Sequence, residues 1–412
     1  VTQGQGQGLG QLPWMTAPAI SAVMDALEAA GGADCARFVG GCVRNALIGA
    51  PIADIDVATT LTPDQVTKAL TAAGLRAVPT GIEHGTVTAI HRGQPVEVTT
   101  LRRDVETDGR RAVVAFTTDW AEDAQRRDFT LNCLYAQRNG DLYDPTGRGV
   151  ADALAGRIVF VGDPEARLRE DHLRALRFFR FLAWYGRGAP DAAALAAIRK
   201  LKDQVASLAA ERICAELMKL LAAEDPREAL RLMDHAGVLA VAVPPAQDLA
   251  RLTALVEIER ARGENDPLLR LAALLPDDPE VGLRTAKALR LSNAERERLA
   301  AALDPQVPGP GASPQTIRAF LYREGAQAFG DRVRLAWART GKRGWDELLA
   351  AAQGWSRPVL PVTGADALAA GLPKGPKVGE ALRQVEAWWI AGDFQAGREA
   401  ALAKLKGLVA AG

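Results

Sequence analysis

At 412 residues the chain is too long for one ordinary hydrophobic core, and two to four domains are expected. Fifty Lys and Arg balance fifty Asp and Glu, so any polyanionic partner has to be held by local basic patches without help from a net field. Four scattered cysteines with no CxxC spacing, and four dispersed histidines, argue against a disulfide scaffold and a structural zinc site.

The stretch Thr2 to Pro13, TQGQGQGLGQLP, reads as a flexible tail, because no strand precedes its glycines to aim them at a phosphate. It lacks the basic and apolar regions of a signal peptide, and no later run approaches the ~20 apolar residues of a membrane span. A cytoplasmic protein without membrane contact is expected. From Pro18, Ile20, Val23, Met24 and Leu27 fall on one helix face, with Gly31 as a stop. Strands and helices then alternate. CARFVGG is a short apolar strand, RNALIGA opens a helix, and IADIDVATT is a strand. TPDQVTKALTAAG is a helix with Thr62 as N-cap and Gly74 at its end. HGTVTAIHRGQPVEVTTL reads as a hairpin turning near Arg92-Gly93-Gln94. After Ala151 the pattern is helical almost throughout, with breaks at 186–190, 243–247, 304–314 and 356–364.

The chemistry concentrates between Phe38 and Thr59, FVGGCVRNALIGAPIADIDVAT. In a strand, residues two apart share a face, so Asp54 and Asp56 are predicted to project together while Ile55 and Val57 turn inward. Two like charges so placed call for a cation. With Glu97 of PVEVTTL as a third carboxylate on a neighbouring strand, the set suits Mg²⁺ held between protein and nucleotide phosphates. An isolated Asp-x-Asp reads equally as a solvent-facing pair. Its weight changes because Gly40-Gly41 precedes it between strand and helix, where backbone N–H groups approach phosphate unobstructed. Arg44, one turn on, is predicted to reach a phosphate oxygen.

This Gly40-Gly41-x-x-Arg44 followed by Asp54-x-Asp56 resembles the first motif of the class II tRNA nucleotidyltransferase and bacterial poly(A) polymerase superfamily. Further matches follow in family order. LRRDVETDGRRAVVAFTTDW (101–120) resembles the flexible loop between catalytic strands, and RRDFTLNCLY (126–135) the ribose-recognition motif. DPTGRGVADALAGRIVFVGDP (144–164) resembles the hinge between head and neck, REDHLRALRFFRF (169–181) the helical nucleotide template, and ERICAELMKLL (211–221) the neck motif that buttresses it. The matches span residues 38 to 221, about half the chain.

The resemblance implies an α+β fold: a small mixed-sheet nucleotidyltransferase head, polymerase-beta-like, followed by an all-helical neck, body and tail. The expected divisions are a flexible tail 1–17, a head 18–150, a neck 151–225, a body 226–303 and a tRNA-binding tail 304–412. By position, Asp54 and Asp56 inherit the metal, with Glu97 assisting catalysis. Arg126, Arg127, Asp128 and Asn132 inherit the sugar and phosphate side. Asp171 and Arg174 inherit the template role, with Arg177 one step further along.

The chemistry of the last group agrees. On one helix face, a carboxylate beside a guanidinium offers acceptor and donors to the Watson–Crick edge of cytosine or adenine. Uracil and guanine present the opposite order. The implied activity is Mg²⁺-dependent, template-independent addition of CCA to the tRNA 3′ end from CTP and ATP. The chain closes on REAALAKLKGLVAAG without a long basic extension, which favours this over poly(A) polymerase, and the presence of residues 101–120 argues against a CC-only enzyme. A non-catalytic RNA-binding protein is disfavoured because the carboxylates and template pair are all present. Lys200, Lys202, Arg318, Arg323, Lys342 and Arg343 are candidate phosphate contacts, and Trp389 is expected in a core. Asn45 stands where the family usually carries Asp.

Overall fold

The computed structural model describes residues 8–108, 111–246 and 248–411. It forms two compact units, Val1–Pro244 and Pro245–Gly412, dividing within the break expected at 243–247.

In the first unit, α1 (Pro18–Gly31) leads into β1 (Ala36–Val39), α2 (Gly41–Ile48), β2 (Asp56–Thr59) and α3 (Pro63–Ala72). The α3 N-terminus carries the expected cap: Thr62 accepts from Gln65 N while the Gln65 side chain returns to Thr62 N. Then come β3 (Arg76–Gly81), β4 (Thr86–His91) and β5 (Gln94–Thr100). The β4–β5 turn falls where predicted, with Arg92 and Gly93 both at positive φ, the signature of a two-residue hairpin that follows the sheet twist. After the separate β6 (Arg102–Asp108) and β7 (Arg111–Phe116) ribbon come α4 (Trp120–Gln125), β8 (Tyr135–Ala136) and β9 (Leu142–Tyr143). The described strands form a seven-stranded sheet in the order β3-β4-β5-β2-β1-β8-β9. It is mixed: β2 and β5 run parallel, whereas β1 pairs antiparallel with both β2 and β8. A parallel pair needs a crossover, and α3 with the β3–β4 excursion supplies it.

Helices α5 (Gly149–Ala155), α6 (Pro164–Glu170), α7 (Leu173–Tyr185), α8 (Ala192–Leu201) and α9 (Ala210–Leu221) follow, and α10 (Arg227–His235) and α11 (Val238–Ala242) end the unit. An aromatic cluster joins α7 to the sheet side. Phe129 lies 4.9 Å from Phe160 and 5.1 Å from Phe181 by ring centroids, and Phe160 stacks on Phe178. All four are buried. At about 2 kcal/mol per buried aromatic side chain, this cluster ties α7 to the segments that carry Phe129 and Phe160.

Every described secondary-structure element of the second unit is a helix. Its longest helix, Pro314–Thr340, is interrupted at Gly325, whose φ of 84° and ψ of 162° are open to glycine alone. Trp389 is core, as expected: it is 3% exposed, donates from Nε1 to Ala396 O, and packs against Tyr322 and Phe394.

Two expectations need correction. Residues 1–7 of the tail lie outside the described residues, but Pro13–Thr16 form a 3-10 turn that buries Met15 and sets Trp14 edge-on to Phe38. Residues 13–16 are therefore structured, because Trp14 and Met15 have apolar surface to bury. Second, β2 begins at Asp56, so Ile52 to Ile55 are loop. Within the loop 101–120, residues 109 and 110 lie outside the described residues.

Candidate active site

The turn between β1 and α2 is built on Gly40, with φ 72° and ψ −118°, a backbone conformation that a side chain forbids. Arg127 Nη1 lies 3.6 Å from where a Gly40 Cβ would stand, and Arg44 Nη2 lies 3.8 Å from that of Gly41. Two guanidinium groups thus flank the first amides of α2, so helix N-terminus and cations present positive charge together.

Beside this turn lies an acidic face. The parallel register sets Asp56 directly opposite Glu97. Asp54, exposed in the loop just before β2, approaches the same group from the chain and not from the strand face. The predicted alternation fails here because the loop leaving α2 is still irregular at Asp54. The proximity survives. Burial pushes the Asp56 carboxyl above its ordinary pKa, Glu97 and Asp54 push it in the same direction, and only Arg127 opposes them. None of the three carboxylates has a hydrogen-bond or ion-pair partner among the described residues. No three described His, Cys, Asp or Glu side chains converge into a metal cage. The three carboxylates are hard oxygen donors, the ligand type that a divalent cation takes.

Around the acidic face, the basic residues picked out from sequence are engaged with protein. Arg44, 5% exposed, was expected to point at phosphate. In the protein alone it donates from Nε and Nη2 to Asn45 Oδ1 at 3.0 and 2.8 Å, from Nη2 to the Tyr185 hydroxyl at 2.8 Å, and from Nη1 to Asn132 Oδ1. The Tyr185 ring lies 4.0 Å from its guanidinium carbon. One Nη1 proton remains. Asn132, expected on a helix facing a ribose, sits in a 3-10 turn, 8% exposed, with its Nδ2 donating to Asp128 at 2.9 Å. The chain turns too tightly at Thr130–Asn132 for a helix face, and both ends of the amide are committed.

Arg126 and Arg127 each grip Asp123 with two nitrogens, at 2.6 to 3.1 Å. Tyr135 donates its hydroxyl to the same carboxylate at 2.7 Å, and Arg102 N approaches at 3.3 Å. Against the penalty of burial, Arg127 and then Arg126 hold the Asp123 carboxyl well below the carboxylate range. Sequence reading missed Asp123. It lies three residues before Arg126 and four before Arg127, a spacing that was available as a signal.

Asp128 is likewise enclosed. Its Oδ2 accepts from Arg177 Nε at 2.7 Å, its Oδ1 from Phe129 N and Asn132. Burial opposes ionisation, but Arg177 and these donors keep its pKa low. Arg177 and Arg180 also meet Glu216 of α9.

The template pair departs from the expected single helix. Asp171 is extended, φ −152° and ψ 106°, in the link between α6 and α7. Its Oδ1 accepts from Leu173 N at 3.0 Å, and its Oδ2 from Arg212 of α9 at 2.7 Å. Arg174 donates from Nη1 to Glu170 at 2.6 Å and to Arg167 O, and from Nη2 to Arg126 O at 2.9 Å. Its Nε–H and one Nη2–H stay free of these bonds. The carboxylate keeps spare lone pairs, so an acceptor and donors are both still on offer. The predicted buttress is visible: Arg212 and Glu216, both from α9, hold Asp171 and Arg177.

A mixed sheet bearing neighbouring acids beside a Gly-Gly turn, followed by helices that hold Asp171 and Arg174 through separate partners, has the organisation of a nucleotidyltransferase. Residues 36–159 match the poly A polymerase head domain, and residues 189–264 the probable RNA and SrmB-binding site of polymerase A. The mitochondrial CCA tRNA nucleotidyltransferase 1 of Homo sapiens is 33% identical over 393 residues, covering 90% of this chain and 86% of the relative. The CCA-adding enzyme of Lacticaseibacillus paracasei is 33% identical, covering 90% and 91%. The Bacillus stearothermophilus CCA-adding enzyme in complex with CTP superposes with a TM-score of 0.79 at 28% identity, covering 96% and 98%. The chain belongs to the CCA-adding tRNA nucleotidyltransferase family.

Proposed function

We infer that the protein adds C, C and A to the 3′ end of tRNA from CTP and ATP without a nucleic-acid template. The observation that carries this is the pairing of Asp56 with Glu97, with Asp54 close by: three carboxylates without partners among the described residues, at the edge of a positive helix N-terminus. Asp54 and Asp56 would hold Mg²⁺, which would acidify the attacking 3′-hydroxyl and neutralise the departing pyrophosphate, and Glu97 would assist at the hydroxyl. Gly40, Gly41, Arg44 and Arg127 would steady the triphosphate. Asp171 and Arg174 would read the base, while Arg126, Asp128, Asn132 and Arg177 would hold the sugar side and the template helix in place.

The head, neck, body and tail divisions belong to the same reading, as does a cytosolic setting. Among the described residues no helix is long and apolar enough to cross a membrane. The tail would grip tRNA through phosphate contacts, which carry no sequence information. Lys200, Lys202 and Arg318 are already paired with Glu165, Asp203 and Asp393, so the exposed Arg323, Lys342 and Arg343 are the better phosphate contacts. The test is incubation of the protein with tRNA lacking its 3′ CCA, Mg²⁺, and CTP, ATP or both. Two C followed by one A is expected. Long A tracts on unrelated RNA, or no incorporation at all, would sink the reading.

A further inference from the structure

Arg44 is a buried cation whose direct partners are all neutral: the amides of Asn45 and Asn132, the Tyr185 hydroxyl, and the rings of Tyr185 and Phe181. Five other arginines around the site each touch a carboxylate. Arg126 and Arg127 have Asp123, Arg174 has Glu170, Arg177 has Asp128, and Arg180 has Glu216. Taking a guanidinium out of water without a counter-charge costs stability, and a nearby anion recovers it. Asp128 does not touch Arg44: its charge reaches the guanidinium across the Asn132 amide, which hydrogen-bonds both.

Asn45 is the residue that decides this balance. Its Oδ1 accepts two Arg44 N–H bonds, which an aspartate would also do. Its Nδ2 donates to Pro51 O at 2.6 Å, which an aspartate could not do. The same residue's backbone carbonyl accepts from Ala50 N, so Asn45 shapes the start of the loop that leads to Asp54.

We propose that Asn45 is a positioning residue that fixes Arg44 without neutralising it, leaving a buried positive charge beside Gly41 for the nucleotide triphosphate to complete. This rests on the nucleotide-binding reading above and deepens it. At the effective dielectric of a half-buried site, one added negative charge weakens binding of an anion by about three- to tenfold.

The test compares Asn45→Asp with Asn45→Ala, both of which lose the Pro51 bond while only the first adds a charge. CTP binding is measured by calorimetry without tRNA, so that turnover does not enter. Asn45→Asp is expected to bind CTP about three- to tenfold more weakly than Asn45→Ala, with a shallower salt dependence. In the absence of nucleotide it should melt above Asn45→Ala, since its Arg44 is neutralised. Equal CTP affinities in the two variants would overturn the proposal while leaving the function reading intact. Absence of CTP binding by the unaltered protein would overturn both.

Discussion

The acidic face and the joint beneath it use the same side chains in opposite ways. At the face, Asp54, Asp56 and Glu97 have no hydrogen-bond or ion-pair partner among the described residues, and the Asp56 carboxyl is pushed upward in pKa by burial and by its acidic neighbours. At the joint, Asp123 and Asp128 are enclosed by Arg126, Arg127 and Arg177, and both are held low. Unsatisfied charge in a folded protein costs stability unless a ligand satisfies it, so the face is where a ligand belongs. Satisfied charge costs little and fixes geometry, which is what a support does.

If the contrast is sound, removing charge should have opposite consequences at the two places. The largest effect is at the face. Asp54→Ala should abolish both C and A addition while shifting stability by no more than about 0.5 kcal/mol in denaturant unfolding, since the residue is exposed and unbonded. A comparable loss of stability there would break the contrast. At the joint, Asp123→Ala leaves two guanidinium groups facing an emptied site. It should cost about 3–5 kcal/mol, measured by denaturant unfolding. Less than 1 kcal/mol would mean that water already screens the cluster.

The pH dependence separates the two regions by sign. Folding favours protonated Asp56, because its folded pKa is raised. Its contribution to stability is therefore lost as pH rises through that value, and cation binding, which needs the ionised form, must release protons there. Calorimetric metal titration in two buffers of different ionisation enthalpy should show this release, and Asp56→Asn should remove it. Asp128 behaves oppositely. Its folded pKa is lowered, so its stabilisation is complete above the ordinary aspartate range and disappears as pH falls through the folded value. The smallest effect is at the edge of the joint. Tyr185→Phe removes one hydroxyl partner of Arg44 and keeps the ring, and should cost about 1 kcal/mol by thermal unfolding.

The sequence made the acidic face legible because it is local: Gly40-Gly41 and Asp54-x-Asp56 lie within seventeen residues, and strand periodicity brings in Glu97. The α+β architecture, the β4–β5 hairpin and the capped α3 were legible for the same reason. Less visible was what the basic residues do. Nothing local to Arg44 shows that Tyr185, 141 positions away, takes one of its donors. Asn132 was placed on a helix because a 3-10 turn and a helix share their first residues. Asp171 was read as helical because its extended backbone depends on Arg212, forty-one residues later. Short-range pattern found the groups that meet a ligand. The groups that hold them are settled by long-range contacts that periodicity does not encode.

The account separates where the bond forms from where the nucleotide is chosen, and Asp171 tests that separation most directly. Asp171→Ala should be given tRNA lacking its CCA, Mg²⁺ and all four nucleoside triphosphates, with the product 3′ ends sequenced. The account predicts slower but persistent transfer, with U and G now entering alongside C and A. Continued exclusive addition of C, C and A would contradict it.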